Sequence, residues 1–326
     1  MGMHFMGAML AGQVSRSADT IRLHRLARDG HAKKEEFLAS ASKDAQAILK
    51  AQAQGFAFVS GGQVEWLDLF RPIAATFAGF ERKGSEGEDA IGPVTRWFRT
   101  NTFYRKPHVN KRISAEGGEL IPFLPKLPGK GLACLPAPYT FWRLVEHSYY
   151  QEPAEFAADY AAALAASAPH LKKHGYDCLL FLNPSVGYDL SRNQFQKLDW
   201  AADFFASLKK TGFTLGVHFP LADGSKALPI VEDSSVDFVG VDCIHTDFAK
   251  LHSKKDLFLG LVDAARIGVE SPAHLTQQAR ACLQEAGFSG NFYLGPNDRL
   301  FEVPYEAGLD KVKSLAQAAK QLEAAK

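Results

Sequence analysis

Short apolar runs alternate with longer amphipathic segments along most of the chain. The short runs are rich in Val, Phe, Leu and Ile, as buried parallel strands are, and the longer segments repeat apolar residues at i, i+3 and i+4. The pattern predicts strands at residues 5–10, 56–60, 131–136, 178–183, 214–219, 237–242, 257–263 and 291–296. It predicts helices at residues 33–54, 67–77, 153–174, 195–211, 272–285 and 307–325. Strands that alternate with helices in this way predict an α/β fold, a single (β/α)8 TIM barrel.

The interval from about residue 66 to residue 129 departs from this alternation. It combines a helix, a loop rich in Gly, Glu and Lys, and a stretch of aromatic and basic residues. Long segments of this kind usually decorate the mouth of a barrel, so we expect an insertion after the second strand. No linker, repeat or shift in composition marks a boundary, and residues 1–326 are expected to form one domain.

Composition and charge narrow the classes of function. The 37 Lys and Arg residues balance 36 Asp and Glu residues, for a net charge of +1, and the two signs are mixed, so nucleic acid is not an expected partner. The four cysteines are widely spaced, which favours reduced thiols and a cytoplasmic location. Neither a basic leader nor an apolar run of membrane-spanning length is present, and no glycine-rich phosphate loop follows a strand. We therefore expect a small-molecule substrate and no membrane partner.

Candidate chemistry is expected where the strands end, because barrel enzymes act at the carboxyl ends of their strands. His218, Asp242 and Asp298 finish strands five, six and eight and could converge on the barrel axis. Imidazole and carboxylate groups suit acid–base catalysis or a metal ion, so all three are predicted as catalytic residues and as metal ligands. The alternative is that they only bond the backbone of nearby loops. Gln63 and Asn183, after strands two and four, are predicted to hydrogen-bond the substrate.

Loop residues add further candidates. Trp66, Trp97 and Tyr104 could wall a pocket for a flat or apolar ligand, and packing beneath a long loop explains them equally well. His245 and Asp247 follow strand six as a His-x-Asp pair, which suits a positioned imidazole, although a solvated loop pair is the simpler interpretation. We include His245 among the predicted substrate-binding residues.

Five segments, in the same order along the chain, resemble cobalamin-independent methionine synthases. TRWFRTNTFYRKP at 95–107 is similar to the family's W-F-x-T-N-x-x-Y-x-x-P run, in which Asn101 and Tyr104 become predicted substrate contacts. LPAPYTF at 135–141 resembles a G-P-x-T-F turn, and LGLVD at 259–263 with VES at 269–271 resembles L-G-V-V-D and E-S. GPNDRL at 295–300 and KVKSL at 311–315 resemble the N-P-D-C-G-L segment and the last helix. The resemblance implies a methionine synthase-like barrel over residues 26–319.

The resemblance also shows which features of the family's site have changed. In the family, an H-x-C pair, a Glu and a late Cys hold a zinc ion that binds the homocysteine thiol. Here His218 is kept, Pro220 stands at the first Cys position, Asp242 stands near the Glu position, and Asp298 or its neighbours stand at the late Cys. Loss of both thiolates removes the soft site that activates a thiol and leaves, at most, an oxygen-rich site for a harder divalent metal ion.

The positions that recognise an amino acid in the family are changed as well. Its D-E-P segment reads Leu182-Asn183-Pro184 here, and its G-E-x segment reads Gly62-Gln63. Without these carboxylates an ammonium group has no charge partner, so a homocysteine-like amino acid is not the expected substrate. A neutral or anionic compound is expected instead, with an aromatic or pterin-like ring against the tryptophans.

These observations favour a methyltransferase-type enzyme acting on a folate or a small methylated metabolite. A divalent metal ion and tetrahydrofolate, as co-substrate, are the candidate cofactors. One alternative is a lyase or hydrolase that uses the same polar groups on a small oxygenated compound, because a fold does not fix the reaction. The other alternative is a non-catalytic ligand-binding barrel, since methionine synthases carry a second barrel with the W-F-x-T-N motif and no zinc.

Overall fold

The structure, a computed structural model, describes residues 3–52, 54–82, 91–98, 102–117, 123–195 and 198–325. The strands are β1 (His4–Ala8), β2 (Ala78–Phe80), β3 (Val94–Arg96), β4 (Phe103–Arg105), β5 (His108–Ser114), β6 (Gly131–Pro136), β7 (Glu146–His147), β8 (Tyr176–Leu182), β9 (Thr214–Phe219), β10 (Phe238–Asp242), β11 (Asp256–Val262) and β12 (Asn291–Pro296). The helices are α1 (Ala18–Arg28), α2 (Lys34–Ala51), α3 (Arg71–Thr76), α4 (Pro138–Leu144), α5 (Pro153–Lys173), α6 (Pro184–Leu190), α7 (Ala201–Lys209), α8 (Gly224–Ala227), α9 (Pro272–Glu285) and α10 (Tyr305–Ala324).

Seven strands form one curled sheet in the order β1-β12-β11-β10-β9-β8-β6. Every neighbouring pair is parallel, so the carboxyl ends of all seven strands lie at one edge. Their bounds match the predicted strands at 131–136, 214–219 and 291–296 and differ elsewhere by at most two residues. Long apolar runs predicted these strands well because a parallel strand covered on both faces is apolar throughout.

The predicted strand at 56–60 does not form a continuous ladder. Phe56 bridges to Ala8 and Val59 bridges to Gly131, both in parallel, so this segment touches both edges of the seven-stranded sheet. The backbone N–H of Ala57 donates to the carbonyl of Ala8 at 2.8 Å, and that of Val59 donates to the carbonyl of Lys130 at 2.8 Å. The segment therefore links β1 to β6 through isolated bridges.

Helices follow the strands, and proline fixes where several of them begin. Proline occupies the first turn of α4, α5, α6 and α9, where a missing N–H costs no hydrogen bond. The pattern missed α1, α4, α6 and α8, and the predicted helices at 67–77 and 195–211 are shorter, at α3 and α7. The helices α4, α6 and α8 have too few turns to show a period, whereas α1 is longer but mostly polar. Within the described ranges, no helix combines the length and the hydropathy needed to cross a membrane.

The segment between residues 66 and 129 forms small structures of its own where it is described. Strands β3 and β4 pair antiparallel, and β2 and β5 form a three-stranded sheet with β7, which follows the segment. Most of its aromatic residues are buried in the same core as the main sheet, although Phe103 is exposed. The segment is thus packed onto the sheet rather than separated from it.

Aromatic rings pack against glycines of neighbouring strands on one face of the sheet. Gly240 is the register partner of His218 on β9 and of Phe258 on β11. A Cβ atom at Gly240 would lie 2.5 Å from His218 Nδ1 and 2.6 Å from Phe258 Cδ1. Glycine at this position therefore makes room for both rings.

Replacing Gly240 with alanine is expected to lower the free energy of unfolding by about 1–3 kcal/mol, because both rings must leave their positions in a packed core. Chemical denaturation measures the change. Gly268→Ala is the matched control, since an added Cβ there meets no atom within 4 Å. Equal stabilities of the two variants would contradict this packing.

Candidate active site

Asn297 joins the carboxyl ends of four strands. Its backbone carbonyl accepts a hydrogen bond from His218 Nε2 at 2.7 Å, and its side-chain Nδ2 donates to Asp242 Oδ1 at 3.2 Å. Its Oδ1 accepts from the backbone N–H of Ala264, just after β11, at 2.9 Å. Asn297 itself follows β12, so it ties β9, β10 and β11 to that strand. All of these groups are buried.

Asp242 holds His245 in a defined orientation. Asp242 is fully buried and accepts hydrogen bonds from the backbone N–H groups of Leu221 at 3.0 Å and Ile244 at 2.9 Å. Its Oδ2 also lies 2.8 Å from Nδ1 of His245, whose side chain is 49% exposed. Because the carboxylate oxygen accepts, Nδ1 carries the hydrogen and Nε2 of the neutral imidazole keeps its lone pair. The pair is therefore a half-exposed base positioned by a buried carboxylate.

This pairing corrects the one that the sequence suggested. Asp247, two residues after His245, receives a hydrogen bond from Lys250 Nζ at 2.6 Å instead. Asp242 is three residues before His245 and reaches it because the chain turns at once after β10, where the N–H of His245 donates to the carbonyl of Asp242. A sequence pattern does not reveal such a turn.

His218 lies beneath this pair and is inaccessible. Its side chain is fully buried, and its ring packs edge-on against Phe258. Burial lowers the pKa of His218, and the hydrogen bond to Asn297 and the charges of Asp242 and Asp298 oppose that effect. His218 is thus a neutral donor that supports Asn297 rather than a group that meets a substrate directly.

The lowered pKa of His218 predicts a loss of stability in acid. Below its ordinary value of about 6.5 the unfolded chain binds a proton that the folded chain does not, so stability falls as pH falls, by at most about 1.4 kcal/mol per pH unit. The His218→Gln variant should lose this dependence, because the amide does not titrate. Denaturation between pH 7 and pH 5 tests it, and parallel curves for the two proteins would contradict it.

Asp298 lies beside the network, together with a buried arginine. Its Oδ1 accepts a hydrogen bond from the backbone N–H of Arg299 at 2.7 Å. The Arg299 guanidinium lies 4.9 Å from the ring centre of Trp97 and 4.4 Å from that of Phe301, and it donates to Gln13 Oε1 at 3.3 Å. Asp298 therefore acts on His218 through its charge, and the arginine is held by aromatic faces.

The predicted amide contacts are used within the protein. Gln63 Nε2 donates to the carbonyl of Cys134 at 3.1 Å, and the N–H of Cys134 donates to Gln63 Oε1 at 2.7 Å. Asn183 Oδ1 accepts from the hydroxyl of Thr140 at 2.9 Å. Asn101 lies outside the described residues. The Gln63 amide thus bonds the backbone of β6 at Cys134 in the way that a neighbouring strand would.

The predicted aromatic wall is packed beneath the loops. Trp66, Trp97 and Tyr104 are 2%, 4% and 4% exposed. Trp66 Nε1 donates to the carbonyl of Phe123 at 2.9 Å, and the Tyr104 hydroxyl donates to the carbonyl of Leu144 at 2.8 Å. Burial raises the pKa of Tyr104 to about 12, so its hydroxyl remains a donor. In this conformation neither indole ring offers an open face to a pterin.

The geometry does not fit a metal ion at the predicted ligands. Among the residues that the structure describes, no three His, Cys, Asp or Glu side chains are grouped to hold one. His218 uses Nε2 to bond a carbonyl, and both oxygens of Asp242 accept from protein donors. Asp298 Oδ1 accepts from the backbone. These residues therefore form a hydrogen-bonded network rather than a set of metal ligands.

The connecting role of Asn297 and the participation of Arg299 were not predicted from the sequence. Asn297 and Asp298 both finish the last strand, and a carboxylate at a strand end is the stronger sign of catalysis or metal binding. Arg299 lies next in the same segment, and its contacts with Trp97 and Gln13 come from distant parts of the chain. Their positions after β12 were the available signal.

Comparison with solved structures confirms, at the level of the fold, the likeness that the motifs predicted. A B12-independent methionine synthase from Shewanella sp. W3-18-1, solved with selenomethionine, matches 98% of this chain and 98% of its own, with a TM-score of 0.74 and 15% identity. A Listeria monocytogenes protein described as a vitamin-B12-independent methionine synthase gives 0.72 and 14%, with 98% of each chain covered. A methyltransferase from Methanosarcina mazei gives 0.53 and 14%, over 98% of this chain and 94% of its own. No protein-family model and no curated protein sequence matches this chain.

Proposed function

We propose that this protein is a methyltransferase-type enzyme that acts on a small-molecule acceptor other than homocysteine. The observation that carries the proposal is the pair of His245 and Asp242 at the carboxyl end of β10, on a fold shared with methionine synthases. In this proposal residues 56–60 are the eighth strand of a closed (β/α)8 barrel, because they bond to both edges of the sheet.

His245 provides the chemistry at the acceptor. As a lone pair of the acceptor oxygen or nitrogen attacks the methyl carbon, the bond from that carbon to the donor breaks, and the acceptor proton passes to Nε2. A bound 5-methyltetrahydrofolate would supply the methyl group, and its N5 would keep the bonding electrons and receive the acceptor's proton, passed on from the imidazolium directly or through solvent. Asp242 stabilises the imidazolium that forms, and general-base catalysis of this kind contributes about 10²- to 10⁴-fold.

The residues near the strand ends favour an acceptor without a thiol or an ammonium group. Proline at position 220 cannot bind zinc, and the amides of Gln63 and Asn183 carry no charge to pair with an amine. Gln63 is also occupied by the backbone of Cys134. These residues fit a neutral or anionic acceptor that carries a hydroxyl group best.

A ligand-binding barrel without catalysis is the second candidate. It is favoured by the burial of Trp66 and Trp97, which leaves His245 as the exposed member of the predicted set among the residues that the structure describes. In such a protein the network around Asn297 would be purely structural. The two candidates differ in whether a methyl group moves.

Incubation with methyl-labelled 5-methyltetrahydrofolate and a panel of hydroxyl, amine and thiol compounds, followed by mass spectrometry, tests the proposal. We expect label on a hydroxyl compound and none on the amines or on homocysteine. Label on homocysteine would overturn the acceptor assignment. Binding of the folate without transfer to any compound would favour the second candidate.

A further inference from the structure

Two free cysteines meet in a cleft on the outer side of the sheet. Cys243 directly follows β10, and Cys282 lies on α9. Both line a cleft of about 590 Å³ that also includes Ile244, Leu261 and His274. Each is half-buried, so solutes reach the cleft that the two thiols share. Cys243 therefore faces α9 rather than the mouth of the sheet.

The two thiols share this cleft from separate elements, and each influences the electrostatics of the other. The Cys243 thiol itself donates to the carbonyl of Val241 at 3.9 Å. Cys134 and Cys178, by contrast, are fully enclosed in strands β6 and β8. The chain thus holds one accessible thiol pair and two core thiols.

Their environments give the two sulfurs different chemistry. Interaction with the Cys243 side chain lowers the pKa of Cys282, while burial raises the pKa of Cys243 well above its usual range. A thiolate is the nucleophile in thiol oxidation, and exposure selects the thiol that reacts. Cys282 is therefore suited to react first and Cys243 to resolve the product.

We propose that Cys243 and Cys282 form a dithiol that hydrogen peroxide oxidises to a disulfide between the end of β10 and α9. The Cys282 thiolate attacks one oxygen of hydrogen peroxide, and the O–O bond breaks. Hydroxide is released, and Cys282 becomes a sulfenic acid. The Cys243 sulfur then attacks Cys282, the S–O bond breaks, and the thiol proton leaves with the oxygen as water. One peroxide is reduced to two waters, and the two thiols are oxidised.

The bond would restrain the segment that carries the base. Cys243 lies between Asp242 and His245, and its backbone N–H donates to the carbonyl of Gly260 at 3.1 Å. Drawing its sulfur to the disulfide distance of about 2.05 Å moves the start of this loop toward α9. The dithiol itself goes beyond the proposed methyl transfer and does not rest on it, because disulfide formation is measured directly.

Limited hydrogen peroxide treatment of the reduced protein, followed by peptide mapping without reductant, tests the proposal. We expect two of the four thiols to disappear and a cross-linked peptide that joins Cys243 to Cys282. Dithiothreitol should restore both thiols. Four free thiols after treatment, or Cys282 oxidised to a sulfinic acid without a cross-link, would overturn it.

Two variants make the test specific. Cys282→Ser removes the attacking thiol at a half-buried helix position and should abolish the cross-link. Cys178→Ala removes a core thiol and should leave the cross-link at the wild-type level. A cross-link that persists in Cys282→Ser, or that disappears in a folded Cys178→Ala protein, would assign the oxidation to other cysteines.

Discussion

An Asp242→Asn variant is expected to lose about 10²- to 10⁴-fold in the rate of methyl transfer. An amide NH₂ in place of one carboxylate oxygen faces the hydrogen on His245 Nδ1, so the imidazole must take its other tautomer. Nε2 then carries a hydrogen and no longer accepts the acceptor proton. Asp242 is a positioning residue, so the acidic limb of the pH–rate profile, along which the base becomes protonated, should change together with the rate.

The same change should also reduce stability. The carboxylate accepts from the backbone N–H groups of Leu221 and Ile244 while fully buried, and each donor left unpaired costs about 1–3 kcal/mol. Asp247→Asn is the matched control, because Asp247 is 38% exposed and pairs with Lys250 at the surface. A folded Asp242→Asn protein with the wild-type rate and pH profile would contradict the role of the pair.

Replacing Lys311 with methionine is expected to lower the free energy of unfolding by about 3–5 kcal/mol. Lys311 Nζ is fully buried and lies 3.0 and 2.9 Å from the two carboxylate oxygens of Glu270. It also donates to the carbonyl of Gly268 at 2.5 Å, and Glu270 accepts from the backbone of Asp263 at 2.9 Å. Without the lysine, a mostly buried carboxylate loses its counter-charge, and the loop after β11 keeps its hydrogen bond from Ser314 but loses its ion pair with α10.

Lys313→Met provides the control on the same helix. Its ion pair with Asp310 is more than half exposed on both sides, so its loss should cost no more than about 1 kcal/mol. Urea denaturation of both variants measures the difference. Similar losses in the two would show that the buried pair contributes no more than a surface pair.

The main sheet was predictable because its strands are apolar on both faces. Residues 131–136, 214–219 and 291–296 needed no tertiary information, since only a covered strand tolerates such runs. The segment at 56–60 is equally apolar and was predicted as a strand, but it forms only isolated bridges to the two edges of the seven-stranded sheet. Hydrophobicity predicts that a segment is covered and does not predict how continuously it pairs.

The sequence predicted where the site lies but not which of its residues hydrogen-bond to one another. Barrel enzymes act at the carboxyl ends of their strands, and this rule predicted Asp242 and His218 as site residues. Both belong to the hydrogen-bonded network around Asn297. That Asn297 joins them, and that His245 rather than a metal ion meets Asp242, depends on which loops turn toward each other. The aromatic residues were open to two interpretations, and burial of Trp97 against Arg299 agrees with packing.

The rate of methyl transfer by the His245→Ala variant tests the central claim most directly. With the acceptor found in the labelled-folate panel, we expect the rate to fall by about 10²-fold or more, while His252→Ala, which removes another exposed imidazole, keeps the wild-type rate. An unchanged rate in a folded His245→Ala protein would show that the base lies elsewhere and would contradict the proposed site.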